Sequence, residues 1–317
     1  MPILGTHQSI AGGYHRAVER AAACGCDCVQ LFTANPRSFG TPREKSPCGK
    51  VLTRNNTLRQ ASPISREQVE QFRQALRDCG VAHPLAHDSY LVNLASPENE
   101  LWRKSVRAFV EELERAEMLG IPFVVTHPGS YTDSTPRAGI RRIVRALNQV
   151  LKATRGIGAQ CLLETTAGQG TALGWQFEHL ARILDGVNEP ERLGMCFDTC
   201  HVFAAGYPLA GRDRYEETMA HLDAVVGLKR IKAFHLNDSA REFGSRVDRH
   251  AHIGRGKIGL EPFRLLLADE RFRSVPMVLE TPKGQEAGID FDVINLRTLQ
   301  GLAPQAGDAT DRPKEAR

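Results

Sequence analysis

The chain has 317 residues, 41% of them hydrophobic and 25% charged, with a formal charge of +4 at neutral pH. That balance excludes a disordered chain, and no stretch approaches the roughly 18 apolar residues that a membrane-spanning helix needs. The mild positive charge permits an anionic partner without demanding one. The opening MPILGTHQSIAGGYHRAVER lacks the basic region and unbroken apolar core of a signal peptide, so a cytoplasmic protein is expected.

Strand-like apolar runs fall, in chain order, at ILGTH (3–7), CVQLF (28–32), HPLAH (83–87), PFVVTH (122–127), QCLLE (160–164), LGMCFD (193–198), residues 231–235 and PMVLE (276–280). Between them, apolar residues at i, i+3, i+4 spacing predict helices, among them 14–23, 65–77, 97–119 and 139–153. Ser65 with Gln68 makes a capping box at the start of the second of these, and Gly80 and Gly120 are placed as C-terminal stops. Alternating strand and helix predicts a parallel sheet, and eight such strands in a chain of this length predict one (β/α)8 barrel domain over 1–301. Eight cysteines in a chain without an export signal read as thiols. Cys24, Cys26 and Cys28 lack the second half of a zinc-finger pattern and read as structural.

Two stretches stand outside this alternation. Residues 40–62 form a polar insertion carrying Arg43, Lys45, Lys50, Arg54 and Arg59 against one acid, Glu44. It is expected to emerge on the face where the strands end. The Pro- and Ala-rich tail, 302–317, is expected to be disordered.

Six of the predicted strands end in a metal-capable side chain: His87, His127, Glu164, Asp198, His235 and Glu280. In a barrel those ends converge on one face, where active sites sit. Two local motifs add candidates. In FDTCH, Asp198 and His201 are three apart at a strand-to-loop transition; in SRVDRHAHIG, Asp248 and His250 are two apart, which aims both to one side of an extended segment. Five imidazoles and four carboxylates exceed what one metal needs and suit three. Nitrogen and oxygen donors without obligatory thiolate favour zinc, with Mn2+ or Fe2+ as substitutes. Cys196 and Cys200 flank Asp198 and read as supporting residues; His252 could compete with His250; His7, His15, His83, His179 and His221 default to structural or surface roles.

The stretches HDSYLVNL (87–94), THPGSY (126–131), ETTAGQGTALG (164–174), GMCFDTCHVFAAGY (194–207), FHLNDS (234–239), FGSRVDRHAHIGRGKIG (243–259) and LET (279–281) resemble endonuclease IV, the family of barrel-fold, metal-dependent apurinic/apyrimidinic endonucleases. The resemblance runs from about residue 3 to about residue 300. It implies a trinuclear zinc centre in which Glu164 bridges two metals, His87 and His127 complete one, Asp198, His235 and Glu280 the other, and His201, Asp248 and His250 hold the third. It further implies that Arg37, Tyr90 and Leu91 enter duplex DNA at a lesion. Pro36, Ser38 and Phe39 depart from the family pattern around Arg37, as does Thr165, where the family usually has Asn after the bridging glutamate.

What the resemblance implies is hydrolysis of the phosphodiester 5′ to an abasic site, leaving a 3′-hydroxyl and a 5′-deoxyribose phosphate, with removal of 3′-blocking groups beside it. The partner is double-stranded DNA containing abasic sites, the enzyme acts as a monomer at the nucleoid, and Glu164 is both ligand and catalytic residue. Metal ions supply an activated water, charge relief at phosphate and a stabilised leaving oxygen, so no nucleophilic Ser or Cys is required. Extruding an abasic nucleotide costs little because no base must unstack. Asn237 or Asp238 of HLND is placed behind the ligands. Two rival readings use the same barrel: a metal-dependent sugar isomerase or epimerase, which has no use for nine donors, and a lesion-binding protein without catalysis, which should have lost at least one of them.

Overall fold

A computed structural model describes residues 1–34 and 63–304. Eight parallel strands close into a barrel: β1 (Ile3–Gln8), β2 (Cys28–Phe32), β3 (His83–His87), β4 (Phe123–Thr126), β5 (Gln160–Glu164), β6 (Leu193–Asp198), β7 (Ile231–His235) and β8 (Pro276–Leu279). Each pairs with the next in chain order, and β8 returns to β1 through Ile3 opposite Pro276 and Thr6 opposite Leu279. The predicted strands are all present. His127 and Glu280 lie one residue beyond β4 and β8, which end at Thr126 and Leu279.

The helices are α1 (Tyr14–Ala23), α2 (Arg66–Cys79), α3 (Asn99–Leu119), α4 (Pro136–Ala153), α5 (Phe177–Gly186), α6 (Thr199–Ala205), α7 (Arg212–Val225), α8 (Leu260–Leu267) and α9 (Phe291–Leu302). The capping box of α2 is closed in both directions, Ser65 Oγ accepting from Gln68 N at 3.2 Å and Gln68 Oε1 from Ser65 N at 2.9 Å. Gly80 and Gly120 end α2 and α3 in the left-handed conformation, at φ 69° and 79°. α4 begins three residues earlier than its apolar spacing suggests, because Thr135 caps it through Ala138 N and Pro136 occupies the first turn, where its missing N–H costs nothing. The expected loop at 40–62 lies outside the described residues. Of the expected tail, Leu302 still belongs to α9, and 305–317 lie outside the described residues.

Two apolar regions hold the fold. The larger lies between strands and helices and includes the fully buried Phe72, Phe109, Phe177 and Phe263. The smaller fills the barrel itself, with one side chain from each of seven strands: Cys28, Leu85, Val125, Leu162, Cys196, Ala233 and Val278. β1 contributes Gly5, because a Cβ there would lie 2.0 Å from the Cys28 carbonyl oxygen. All seven described cysteines are free thiols, and burial pushes the Cys28 thiol well above its usual range and Cys26 up to about 12, in keeping with structural roles.

Candidate metal centre

Successive side chains on a strand alternate between faces, so the residue two beyond each barrel-filling position also points inward. Taken strand by strand from β1, those residues are His7, Gln30, His87, His127, Glu164, Asp198, His235 and Glu280. The top of the barrel is therefore lined by a polar side chain from every strand, six of them the predicted donors. His201 joins from the first turn of α6, where Asp198 ends β6 and also caps the helix, its Oδ1 accepting from His201 N at 2.8 Å.

Asp248 and His250 come from the loop after β7. A short antiparallel ladder pairs Asp238–Ser239 with His250–Ala251. The buried Asp238 carboxylate accepts from the backbone of Ser239, Gly254, Gly256 and Ile258, tying both ends of the loop together. Arg246, at φ 53°, lays its guanidinium 3.6 Å from the Trp175 ring centre, and Gln169 accepts from Asp248 N at 3.0 Å.

Glu164, fully buried, is the centre of the arrangement. Its Oε2 lies 3.2 Å from His87 Nε2 and 3.0 Å from His127 Nε2; its Oε1 lies 3.0 Å from His235 Nδ1 and 3.1 Å from His201 Nδ1. His235 Nδ1 is also 3.2 Å from Glu280 Oε2, and His201 Nε2 is 3.2 Å from Asp248 Oδ2. Donor atoms within 4.8 Å of one another form the groups His87–His127–Glu164, Glu164–Asp198–His235–Glu280 and His201–Asp248–His250. A fourth such group adds Cys200 to Asp198 and His250, but the Cys200 thiol donates to the Arg249 carbonyl and burial raises it to about 12.

Four of the five rings are oriented by an oxygen on one nitrogen. His87 and His201 donate Nδ1–H to the Asp88 and Thr165 carbonyls at 2.9 and 2.8 Å, His250 to the Glu280 carbonyl at 3.2 Å, and His235 donates Nε2–H to Gln30 Oε1 at 2.8 Å. The other nitrogen of each then faces the carboxylates, where it carries a proton or, once that is lost, a lone pair that a metal could take. Asn237 steadies two acids at once, donating to Asp198 Oδ2 at 2.7 Å and accepting from Glu280 N at 2.8 Å. Thr165, the departure from the family pattern, accepts from Asp198 N through its hydroxyl at 2.9 Å. Motif spacing does not single out Gln30 and leaves His7 with a structural or surface role, yet both belong to this layer. Gln30 Nε2 donates to Glu280 Oε1 at 2.6 Å and lies 3.0 Å from His7 Nδ1. The signal that finds them is their spacing of two from Gly5 and Cys28. His252 stacks on Phe291 at 4.0 Å and meets Asn295, so it does not compete with His250.

The charges are strongly coupled. Burial is the largest single influence on Glu164 and opposes its ionisation, yet His127 and His235 hold it well below the usual carboxylate range. Burial is likewise outweighed at Asp248, lowered to about 2 beside His201 and His250, and at Glu280, lowered beside His235 and His7. The imidazoles move the opposite way: against burial, Glu164 and Glu280 raise His87 to about 9, and His201 and His235 rise well above their usual value. Four carboxylates this close need extra positive charge, which protons or metal cations supply. His201 Nε2 and His250 Nε2 are buried without a hydrogen-bond partner among the described residues. Orphaned ring nitrogens beside carboxylates, with no obligatory thiolate, fit bound divalent metal.

Above the donors a cavity of about 360 Å³ is lined by His7, Phe32, Tyr90, His127, His250 and Lys283, among others. Tyr90 is in that lining, 69% exposed, with its ring edge-on against Phe32 at 5.4 Å, and Leu91 follows it in the chain, 44% exposed. Arg37 lies outside the described residues.

A (β/α)8 barrel with a dense nitrogen and oxygen donor set at the C-terminal ends of its strands defines a class of metal-dependent barrel enzymes. The family described as xylose isomerase-like TIM barrel matches residues 18–299. "Probable endonuclease 4" of Chloroflexus aurantiacus is 46% identical over 306 residues, covering 96% of this chain and 100% of that protein, and the protein of the same name from Geobacter sulfurreducens is 45% identical, covering 94% of each. The crystal structure of endonuclease IV from Thermus thermophilus superposes with a TM-score of 0.78 at 37% identity, over 95% of this chain and 98% of that one. A D-tagatose 3-epimerase-like protein shares the fold alone, with a TM-score of 0.66 at 17% identity over 94% of this chain and 96% of that one. Within the barrel class, the chain belongs to the endonuclease 4 family.

Proposed function

We propose that this chain, as one barrel domain over 1–301, is a zinc-dependent endonuclease that hydrolyses the phosphodiester 5′ to an abasic site in duplex DNA and also trims 3′-blocked ends. The observation that carries this reading is the gathering of nine nitrogen- and oxygen-donor residues into three adjoining clusters, two of which share Glu164. His87, His127 and Glu164 would hold one ion, Glu164, Asp198, His235 and Glu280 a second, and His201, Asp248 and His250 a third. Bound there, the metals would acidify the attacking water and neutralise charge on the phosphate and the departing 3′ oxygen.

The protein's own contribution is orientation. Glu164 turns one oxygen to His87 and His127 and the other to His201 and His235, which suits a bridging carboxylate. The oxygen partners of the four tethered rings set their tautomers, and Asn237 and Gln30 fix the carboxylates. The neighbouring imidazoles hold Glu164, Glu280 and Asp248 below the usual carboxylate range, so these three are ionised at neutral pH. Tyr90 and Leu91, both exposed, suit occupation of the space left by a missing base. Arg37 is assigned the same task on the family resemblance. The substrate is duplex DNA, the active species a monomer, and the compartment the bacterial cytoplasm; among the described residues no helix is long and apolar enough to cross a membrane.

The test is cleavage of a duplex with one synthetic abasic site, in excess EDTA without added magnesium, beside Glu164→Gln. Incision by the parent protein alone supports tightly held metal and a Glu164-centred reaction. No incision even after reconstitution with zinc or manganese overturns the nuclease reading; binding without cutting would then indicate a lesion-binding protein.

A further inference from the structure

Away from the barrel mouth, one helix is charged with a single sign. α4 contains Arg137, Arg141, Arg142, Arg145 and Lys152 and no acid. The whole chain has 41 basic and 37 acidic residues, so without these five it would hold 36 against 37. Among the described helices α4 thus stands out as a run of five cations with no acid.

Arg141, Arg145 and Lys152 are exposed. Steps of four and seven residues keep them on one face of the helix, over about 16 Å of its length. Together with Arg182 of α5 they line a groove of about 710 Å³ whose lining contains no carboxylate. Val144 and Gly186 are in its floor, and Asn148 closes it by accepting from Asn188 N at 2.8 Å.

Two features set this groove apart from an ordinary solvated face. Several exposed cations elsewhere are paired, as in Arg255–Glu286 at 2.6 Å, Lys257–Glu242 at 2.8 Å and Arg271–Glu216 at 3.0 Å. Arg141, Arg145, Lys152 and Arg182 form no ion pair among the described residues. Arg145 is also held in place, its guanidinium 5.2 Å from the centre of the buried Trp102 ring, with Arg142 at the same distance. A cation immobilised before its partner arrives loses less side-chain entropy on binding.

We propose that the α4–α5 groove is a second DNA-binding surface, taking the phosphate backbone of undamaged duplex independently of the lesion site at the barrel mouth. Duplex DNA presents one negative charge per roughly 1.7 Å of axis, so a ladder about 16 Å long faces several phosphates at once. The groove's charged groups are all cations, which suit phosphates and carry no base information, and of its amides Asn148 is engaged by Asn188 N, so it would hold DNA with little regard to sequence. Its place on the flank of the barrel leaves the mouth open. A second duplex segment could be held there while the first is inspected. This inference builds on the nuclease reading, but binding to undamaged duplex tests it separately.

The experiment compares the full-length protein with Arg141→Gln/Arg145→Gln/Lys152→Gln and with a matched control, Arg212→Gln/Arg214→Gln/Arg297→Gln. Affinity for an undamaged duplex is measured from 50 to 200 mM salt, with thermal unfolding to confirm the fold. Each lost phosphate contact lowers the salt slope by about 0.9, so the α4 variant should lose about 2 to 3 from its slope and the control much less. Single-turnover incision of abasic duplex at saturating protein should be unchanged. An unchanged slope for the α4 variant, or an equal drop in the control, overturns the proposal, even if incision of abasic DNA proves the nuclease reading. A variant that unfolds is replaced by Arg141→Gln/Lys152→Gln, which leaves Arg145 on Trp102; its slope should fall by about 2, and an unchanged slope again overturns the proposal.

Discussion

Inside the barrel Leu85, Val125, Leu162, Cys196, Ala233 and Val278 make a dry layer, and two residues further along the same strands His87, His127, Glu164, Asp198, His235 and Glu280 make a charged one. Both are formed by inward-facing positions of the same sheet. They differ in what lies above them: the lower layer is roofed by the upper, and the upper opens on the cavity at the mouth. Burying so many ionisable groups is tolerable because nearly every one has a partner, and the apolar layer beneath keeps water from entering from below. Stability and chemistry are thus separated by about 7 Å of strand.

The sharpest way to break this division is to substitute on both sides of it in one strand. Glu164→Ala should lower the rate of abasic-site incision by about 1,000-fold or more, read in single-turnover assays, while leaving a folded protein. Leu162→Ala, two residues earlier, should do the reverse, costing about 2–5 kcal/mol in denaturant unfolding while the surviving folded enzyme keeps its turnover. Equal losses of rate in the two variants would erase the distinction. A smaller effect is expected at Gln30, which orients His235 and Glu280 from behind. Gln30→Ala should weaken metal retention about 10- to 100-fold in a chelator titration, with the barrel intact by circular dichroism.

The smallest expected effect concerns a carboxyl that belongs to neither layer. Glu112 of α3 accepts from the Thr33 hydroxyl at the end of β2, and burial raises it to about 7 from 4.5. The folded state then keeps a proton that the unfolded chain releases first, so stability should decline as pH rises from about 4.5 to about 7 and level off above. The full fall is at most about 3 kcal/mol. Glu112→Gln should flatten that slope in urea titrations across this range; a variant that keeps the slope would place its origin elsewhere.

The strand ends are legible in the sequence because an apolar run that stops at His, Asp or Glu is conspicuous. His7 and Gln30 are not, because they sit inside β1 and β2 with further strand residues after them. Only the register that sets Gly5 beside Cys28 shows which way they face. Asp248 and His250 are visible through motif spacing, but the loop that delivers them is fixed by contacts between distant residues, Asp238 with Gly256 and Arg246 with Trp175. Apolar spacing misplaces the start of α4 for a local reason: its first turn, Pro-Arg-Ala-Gly, holds no large apolar side chain to set the period, so only Thr135 and Pro136 mark it.

That loop has a consequence for how such sites arise. The other seven donors stand on strand ends or on the turn that follows β6, so the barrel itself sets their positions. Asp248 and His250 ride on a segment closed at its base by the Asp238 carboxylate and tied to the loop after β5 by Arg246 on Trp175 and by Gln169. The third donor group is therefore split in origin: two of its three donors depend on this one loop, while His201 stands with the barrel.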